Sequence, residues 1–251
     1  MSRVVATAGK GGTGKTTTAA VLVRCLVESG ARPILAVDAD ANANLGEMLG
    51  IRVDRTLGTM REGFMEERAQ VPSGMTKEAL LEMRLADAIV EGDEVDMLVM
   101  GRPEGTGCYC AVNNVLRAYM EKLAGNYQFV VMDNEAGLEH MSRRTTRSPD
   151  VLIVVSDHGR RGIEAARRIH DLAREIGVGA GTVGLVINRV PPGGPDPRLE
   201  EMAQGLGMPI LAMLPEDADI ARFDLEHRSV FEIPEGNPFL AAVRVLAAEV
   251  A

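Results

Sequence analysis

The residues best suited to chemistry stand near the start of the chain. Gly9-Lys10-Gly11-Gly12-Thr13-Gly14-Lys15-Thr16-Thr17 follows the apolar run Val4-Val5-Ala6 and precedes an Ala/Val/Leu-rich stretch. Glycines at this spacing let successive backbone N–H groups curl around phosphate oxygens, Lys15 can reach β- and γ-phosphates, and the Thr16 hydroxyl can hold Mg²⁺. A short strand leading in and a helix leading out are the context a phosphate-binding loop requires. Two other places carry carboxylates suited to the same chemistry. The run 33–38 ends in Asp38-Ala39-Asp40, and Gln128-Phe129-Val130-Val131-Met132-Asp133 ends in an acid. A carboxylate at the carboxyl end of a strand beside a phosphate loop binds Mg²⁺ through water or orients an attacking water. Asp133 is expected to hold a Mg²⁺-bound water, Asp38 is available as a further Mg²⁺-sphere group, and Gly137 is placed to donate its backbone N–H to a γ-phosphate.

A second constellation is Cys108-Tyr109-Cys110, which closes the segment Gly101-Arg102-Pro103-Glu104-Gly105-Thr106-Gly107. Two thiols at i and i+2 are roughly 200° apart on a helix and cannot share one face. A bend at a Gly-rich strand-to-helix junction lets both reach one metal, and a helix N-terminus favours thiolate. An isolated C-x-C is equally compatible with two buried thiols. Four thiolates from two chains would close a tetrahedral or square-planar site, which accepts Ni²⁺ or Zn²⁺ according to its geometry. Cys25 repeats with Leu22 and Leu26 and is expected in the core. His140 is not assigned to a metal, since a lone histidine beside a phosphate site more often hydrogen-bonds or faces water.

The elements that must position these groups are short runs rich in β-branched and other apolar residues at 3–8, 33–38, 95–100, 128–133, 151–156, 182–188 and 210–214. Helical patterns separate most of them. Near-continuous apolar strands alternating with helices describe an α/β architecture: a doubly wound, mostly parallel sheet with helices on both faces, binding ligands at its carboxyl edge. No linker or repeat divides the chain, so 1–251 is expected to be one domain. Residues 77–90 have helical spacing, with Ala79, Leu80, Met83, Ile89 and Val90 for an apolar face, and 50–93 reads as helical decoration over the ligand edge. A helix is expected at 112–123. Arg160, Arg161, Arg167 and Arg168 are expected to form a solvated face. Asn188 ends its strand where a purine edge would be read, and no N-K-x-D string is present to specify guanine.

Composition excludes several classes. The 251 residues are 46% hydrophobic, enough for a large core, and 27 basic against 36 acidic residues give a net charge of −9. That balance disfavours a sequence-independent nucleic-acid binder, which needs a basic face. No run reaches the roughly 20 apolar residues of a membrane span, and no signal-peptide pattern opens the chain, so a cytoplasmic protein is expected. Three cysteines are too few for a disulfide scaffold. The C-terminal helix, capped by Asn237-Pro238, carries one arginine and Glu249 and is expected to dock on its own domain rather than on a membrane.

The string K-G-G-T-G-K-T-T resembles the deviant phosphate loop of the MinD/ParA and nitrogenase-iron-protein class. In that class the early lysine, here Lys10, crosses a dimer interface to the partner's nucleotide, so the resemblance implies a nucleotide-gated homodimer. D-A-N-A-N-L after Asp38 resembles the first switch of the class, which implies that Asp40 is the catalytic aspartate and a Mg²⁺ group. Taken together, the loop, G-R-P-E-G-T-G-C-Y-C and D-N-E-A-G-L-E-H resemble the carbon monoxide dehydrogenase nickel-insertion accessory ATPase family over essentially the whole chain. That resemblance implies an ATP-hydrolysing metallochaperone with ATP/ADP, Mg²⁺ and Ni²⁺, a nickel enzyme as client, catalytic Lys10, Lys15 and Asp40, metal ligands Cys108 and Cys110, and adenine contacts from Asn188, Pro215 and Glu216. The rival expectations are a positioning ATPase of the MinD/ParA type and a reductase with a subunit-bridging iron-sulfur cluster. The reductase is disfavoured because no cysteine follows Cys110.

Overall fold

The computed structural model describes residues 2–40, 42–60, 75–101, 120–137 and 148–251. In chain order these contain β1 (Arg3–Gly9), α1 (Lys15–Glu28), β2 (Ile34–Ala39), α2 (Leu45–Leu49), α3 (Lys77–Ala86), β3 (Ile89–Val90), β4 (Asp96–Val99) and β5 (Phe129–Asn134). They continue with β6 (Val151–Asp157), α4 (Arg160–Glu175), β7 (Thr182–Val190), α5 (Pro197–Gln204), β8 (Ile210–Pro215), α6 (Ala218–Leu225), a 3₁₀ turn (Val230–Glu232) and α7 (Pro238–Val250).

The eight strands form one sheet in the order β3-β4-β2-β5-β1-β6-β7-β8. All neighbours are parallel except β3, which runs antiparallel to β4. Along β1, Val4, Ala6 and Ala8 join one core cluster while Val5 joins another, and β2 divides Leu35, Val37 and Ala39 from Ile34 and Ala36 in the same way. Both faces are therefore buried, which is why the strands read as continuous apolar runs rather than as alternating ones. β1 lies at the centre, with β5 on one side and β6 on the other, and the chain reverses its winding direction there. A crevice opens at such a point beyond the carboxyl ends of the strands.

Residues 77–90 do not form one helix. The helix stops at Ala86, where the Asp87 N–H donates to Met83 O, and the β-branched pair Ile89-Val90 instead pairs with Leu98 and Met97 at the sheet edge. Met83 is 44% exposed, and Leu85, at 2%, takes the core place expected for it. The segments 61–74 and 102–119, the pair Cys108 and Cys110, and His140 lie outside the described residues.

Asn237 caps α7 by accepting from the Leu240 N–H at 3.0 Å, and Phe239, Leu240, Val243 and Leu246 are buried as the helix packs on α1 and β8. Arg24, buried in α1, donates to the carbonyls of Val230 and Ile233 at 2.7 and 2.6 Å and so ties the segment after α6 to the helix that begins at Lys15. Among the described residues no helix is long and apolar enough to cross a membrane.

Candidate nucleotide-binding site

The loop between β1 and α1 is shaped by its backbone. Gly14 caps α1 in a left-handed conformation, φ 88°, without a side-chain capping bond, and a Cβ there would come within 2.2 Å of Asn188 Nδ2. Only glycine fits, and the first-turn N–H groups of α1 are left for a ligand. Lys10 O draws the loop in, accepting from Thr13 Oγ1 at 2.9 Å and from Lys15 Nζ at 3.3 Å. Lys15 is buried, whereas Lys10, Gly11 and Gly12 are exposed.

Three aspartates meet the loop, each held differently. Asp133, 1% exposed, accepts from Thr16 Oγ1 at 2.6 Å and from Thr7 Oγ1 at 2.9 Å. Burial raises its carboxyl pKa above the usual range, against the lowering influence of those two hydroxyls and of Lys15. Asp40 is half-buried, accepts from the Asn42 N–H at 2.9 Å and lines the same cavity as Lys15 and Thr16. Asp38 is fully buried and accepts from the backbone N–H groups of Asp40 and Leu45, both at 2.9 Å. Burial pushes its carboxyl up to about 7, although both N–H donors pull the other way. Both carboxylate oxygens of Asp38 thus hold backbone N–H groups of the residues that follow β2. The Thr16 hydroxyl beside Asp133, two hard oxygen donors at the mouth of a phosphate loop, fits Mg²⁺ chemistry. The Gly137 N–H donates to Gly9 O at 3.4 Å, with φ 101° at Gly137, so the segment after β5 rests on the start of the phosphate loop.

The cavity over the loop has a volume of about 680 Å³. A second, of about 560 Å³, adjoins it and is lined by Asn188, Pro215 and Glu216 among others. The architecture therefore offers two adjoining cavities at one sheet edge. A profile of the CobQ/CobB/MinD/ParA nucleotide binding domain matches residues 4–230. The chain belongs to this family.

Its relatives agree. An uncharacterised ATP-binding protein of Methanocaldococcus jannaschii is 42% identical over 249 residues, 98% of each chain. The carbon monoxide dehydrogenase accessory protein CooC of Rhodospirillum rubrum is 31% identical over 185 residues, 69% of this chain and 70% of that one. The septum site-determining protein MinD complexed with Mg-ADP from Pyrococcus horikoshii aligns with a TM-score of 0.69 at 26% identity, over 100% of this chain and 96% of that one. This MinD/ParA-family protein is a P-loop ATPase.

Within the ATPase, Asn188 has a bracing task beside the one expected of it. At 4% exposure, its Nδ2 donates to Thr13 O at 2.8 Å and its Oδ1 accepts from the Arg189 N–H at 2.8 Å. The end of β7 is thereby fastened to the phosphate loop. Sequence reasoning missed Thr7, although a lone hydroxyl in a buried apolar strand was a usable signal. It also missed Arg189, Asp224 and the Glu47–His227 side-chain contact at the cavity mouth. No spacing rule connects residues 180 positions apart.

Proposed function

We propose that this ATPase is a metallochaperone whose nucleotide cycle governs a metal cargo, Ni²⁺ with Zn²⁺ as the chemically similar alternative, held by Cys108 and Cys110 of two chains and destined for a nickel enzyme such as carbon monoxide dehydrogenase. The observation that carries the reading is the Cys108-Tyr109-Cys110 segment, in a chain 31% identical to a carbon monoxide dehydrogenase accessory protein. Connectivity supports it. The segment begins just after Gly101, and the Met100 N–H donates to Asp38 O at 2.8 Å. The root of the thiol segment is therefore bonded to the strand end that sets the Asp40 turn.

In the proposed cycle the backbone N–H groups from Gly9 to Thr17 cradle the ATP phosphates and Lys15 neutralises charge at the β–γ bridge. Asp40 orients a water for in-line attack on the γ-phosphorus; the bond to the ADP oxygen breaks and phosphate leaves. Thr16, Asp133 and Asp40 would hold Mg²⁺, which supplies further charge neutralisation when bound. Gly137 exchanges Gly9 O for a γ-phosphate oxygen, and Asn188, Pro215 and Glu216 contact the adenine. The exposed Lys10 reaches the nucleotide of a second copy, so that closing the homodimer brings four thiolates together. The chain acts as one domain in the cytoplasm, without nucleic acid or membrane.

Metal and nucleotide affinities must then be reciprocally linked. Ni²⁺ affinity measured with and without a non-hydrolysable ATP analogue is expected to differ at least ~5-fold, and Cys108→Ser/Cys110→Ser is expected to lose the tight site. Equal affinities, or full affinity in the double variant, refute the reading. A MinD-like positioning role is the second reading, favoured by the 26% identity to the Pyrococcus MinD. Sedimentation with liposomes or DNA at low salt distinguishes the two.

A further inference from the structure

Met100 closes the base of a loop that carries acids to the nucleotide cavity. Its N–H donates to Asp38 O at 2.8 Å and its carbonyl accepts from the Gly58 N–H at 3.0 Å, so its two backbone groups hold the two ends of the excursion 39–57. On that excursion Asp40 and Glu47 line the cavity over the phosphate loop. A γ-phosphate adds negative charge beside Asp40, so the resting place of this stretch depends on whether ATP or ADP is bound. Displacement is passed along it rather than absorbed. α2 and the residues after it are in backbone contact: the Ile51 N–H donates to Gly46 O at 2.8 Å, and a Cβ at Gly46 would lie 3.1 Å from Ile51 O and from Val53 Cγ2.

The far end of the excursion is equally firm. Thr56 Oγ1 accepts from the Thr59 N–H at 3.2 Å while Thr59 Oγ1 accepts from the Thr56 N–H at 3.1 Å, a reciprocal cap. Leu57, 3% exposed, anchors this turn in the core. Against it stands Gly101, the residue through which the chain leaves Met100 toward Cys108 and Cys110. Its φ is 68°, and a Cβ there would lie 2.5 Å from Thr56 Oγ1 and 2.8 Å from Thr56 Cβ. Only glycine takes that conformation in that space.

We infer that Thr56, Gly58 and Gly101 form a clasp that carries nucleotide occupancy from the turn after β2 to the segment bearing Cys108 and Cys110, with Gly101 as its hinge and Thr56 as the stop on which the hinge rests. These are positioning residues and take no part in ATP chemistry. The inference deepens the metallochaperone reading and rests on it only for the identity of the cargo.

Thiol labelling of the full chain by an aromatic disulfide reagent, with and without a non-hydrolysable ATP analogue and Mg²⁺, tests the clasp without any cargo. The rate reports Cys108 and Cys110, because Cys25 is 4% exposed and burial pushes its thiol up to about 12. In the wild type the analogue is expected to change the labelling rate at least ~5-fold. In Gly101→Ala, whose Cβ is driven against Thr56, and in Thr56→Ala, which removes the stop, the change is expected to fall to within about twofold while ADP affinity stays at the wild-type value. An unresponsive wild type overturns the inference, as does a full response in Thr56→Ala. Loss of ADP affinity together with the response marks a purely structural role and overturns it as well. If Gly101→Ala does not fold, Thr56→Ala alone decides. Ni²⁺ affinity measured on the same samples tells failure of the clasp from failure of the cargo. Labelling that responds in the wild type and not in the variants supports the clasp even where Ni²⁺ affinity ignores nucleotide, the result that refutes the cargo. Labelling and Ni²⁺ affinity that respond equally in all the proteins refute the clasp and leave the cargo reading intact.

Discussion

The ends of β2 and β5 lie side by side in register, Asp38 opposite Asp133, and both carboxylates are buried. They differ in what holds them. Asp133 is bonded by two side-chain hydroxyls, Thr16 and Thr7. Those donors are also acceptors and can turn toward a cation or a water without unfolding anything. Asp38 is bonded by two backbone N–H groups, those of Asp40 and Leu45. These have no other role and would be left unpaired if the carboxylate moved. Two identical side chains at matched positions thus divide into one suited to chemistry and one suited to holding a turn. The partners, more than the burial, separate them.

The largest effect that would sharpen this contrast is at Asp133. Replacing it by Asn removes the charge beside Thr16 at little change in volume, and steady-state ATP turnover is expected to fall roughly 100-fold or more. A loss under about tenfold would break the comparison. Next is Asp40→Asn, expected to reduce turnover by at least about tenfold while leaving ATP affinity within about twofold, because the group orients water rather than phosphate. Unchanged turnover would remove Asp40 from the mechanism.

Asp38→Asn is expected to act on stability first. One backbone N–H would face an amide N–H, so urea denaturation should show a loss of about 1–3 kcal/mol. The pH dependence carries the same information. The folded carboxyl, at about 7, holds its proton more tightly than an unfolded Asp. Its stabilisation is therefore complete below the ordinary Asp pKa and is lost as pH rises toward about 7. Without nucleotide or Mg²⁺, this fall in unfolding free energy is expected in the wild type and diminished in Asp38→Asn; identical pH slopes would refute it. The smallest effect is at Thr7→Val, which deletes one donor to Asp133 at nearly constant shape. About 1 kcal/mol of stability and a few-fold of turnover are expected to go, and no change in either would show that Thr16 alone holds Asp133.

Much of this was legible in the chain. The phosphate loop is a local device: its glycines, lysine and threonine act through the backbone between neighbouring positions, so spacing alone announces them. The sheet was legible because strands buried on both faces must be apolar throughout, and Asp40 and Asp133 stood out as acids ending such runs. Less legible was the stretch 77–90, where helical spacing continued into Ile89-Val90 but an open sheet edge claimed the β-branched pair. Asn188 was expected to meet a base; its bond to Thr13 O, 175 positions away, left no trace in spacing.

By itself, then, the sequence determined the phosphate loop, the parallel α/β sheet and the acids at its carboxyl edge, because each depends on near neighbours or on the periodicity of burial. Only the tertiary structure decided what holds the acid at the end of β5. That Asp133 is poised between the hydroxyls of Thr16 and Thr7, more than 100 positions away, follows from partners brought together by the fold. Hydrogen-bond satisfaction in a buried site is a property of that assembly and not of any single segment.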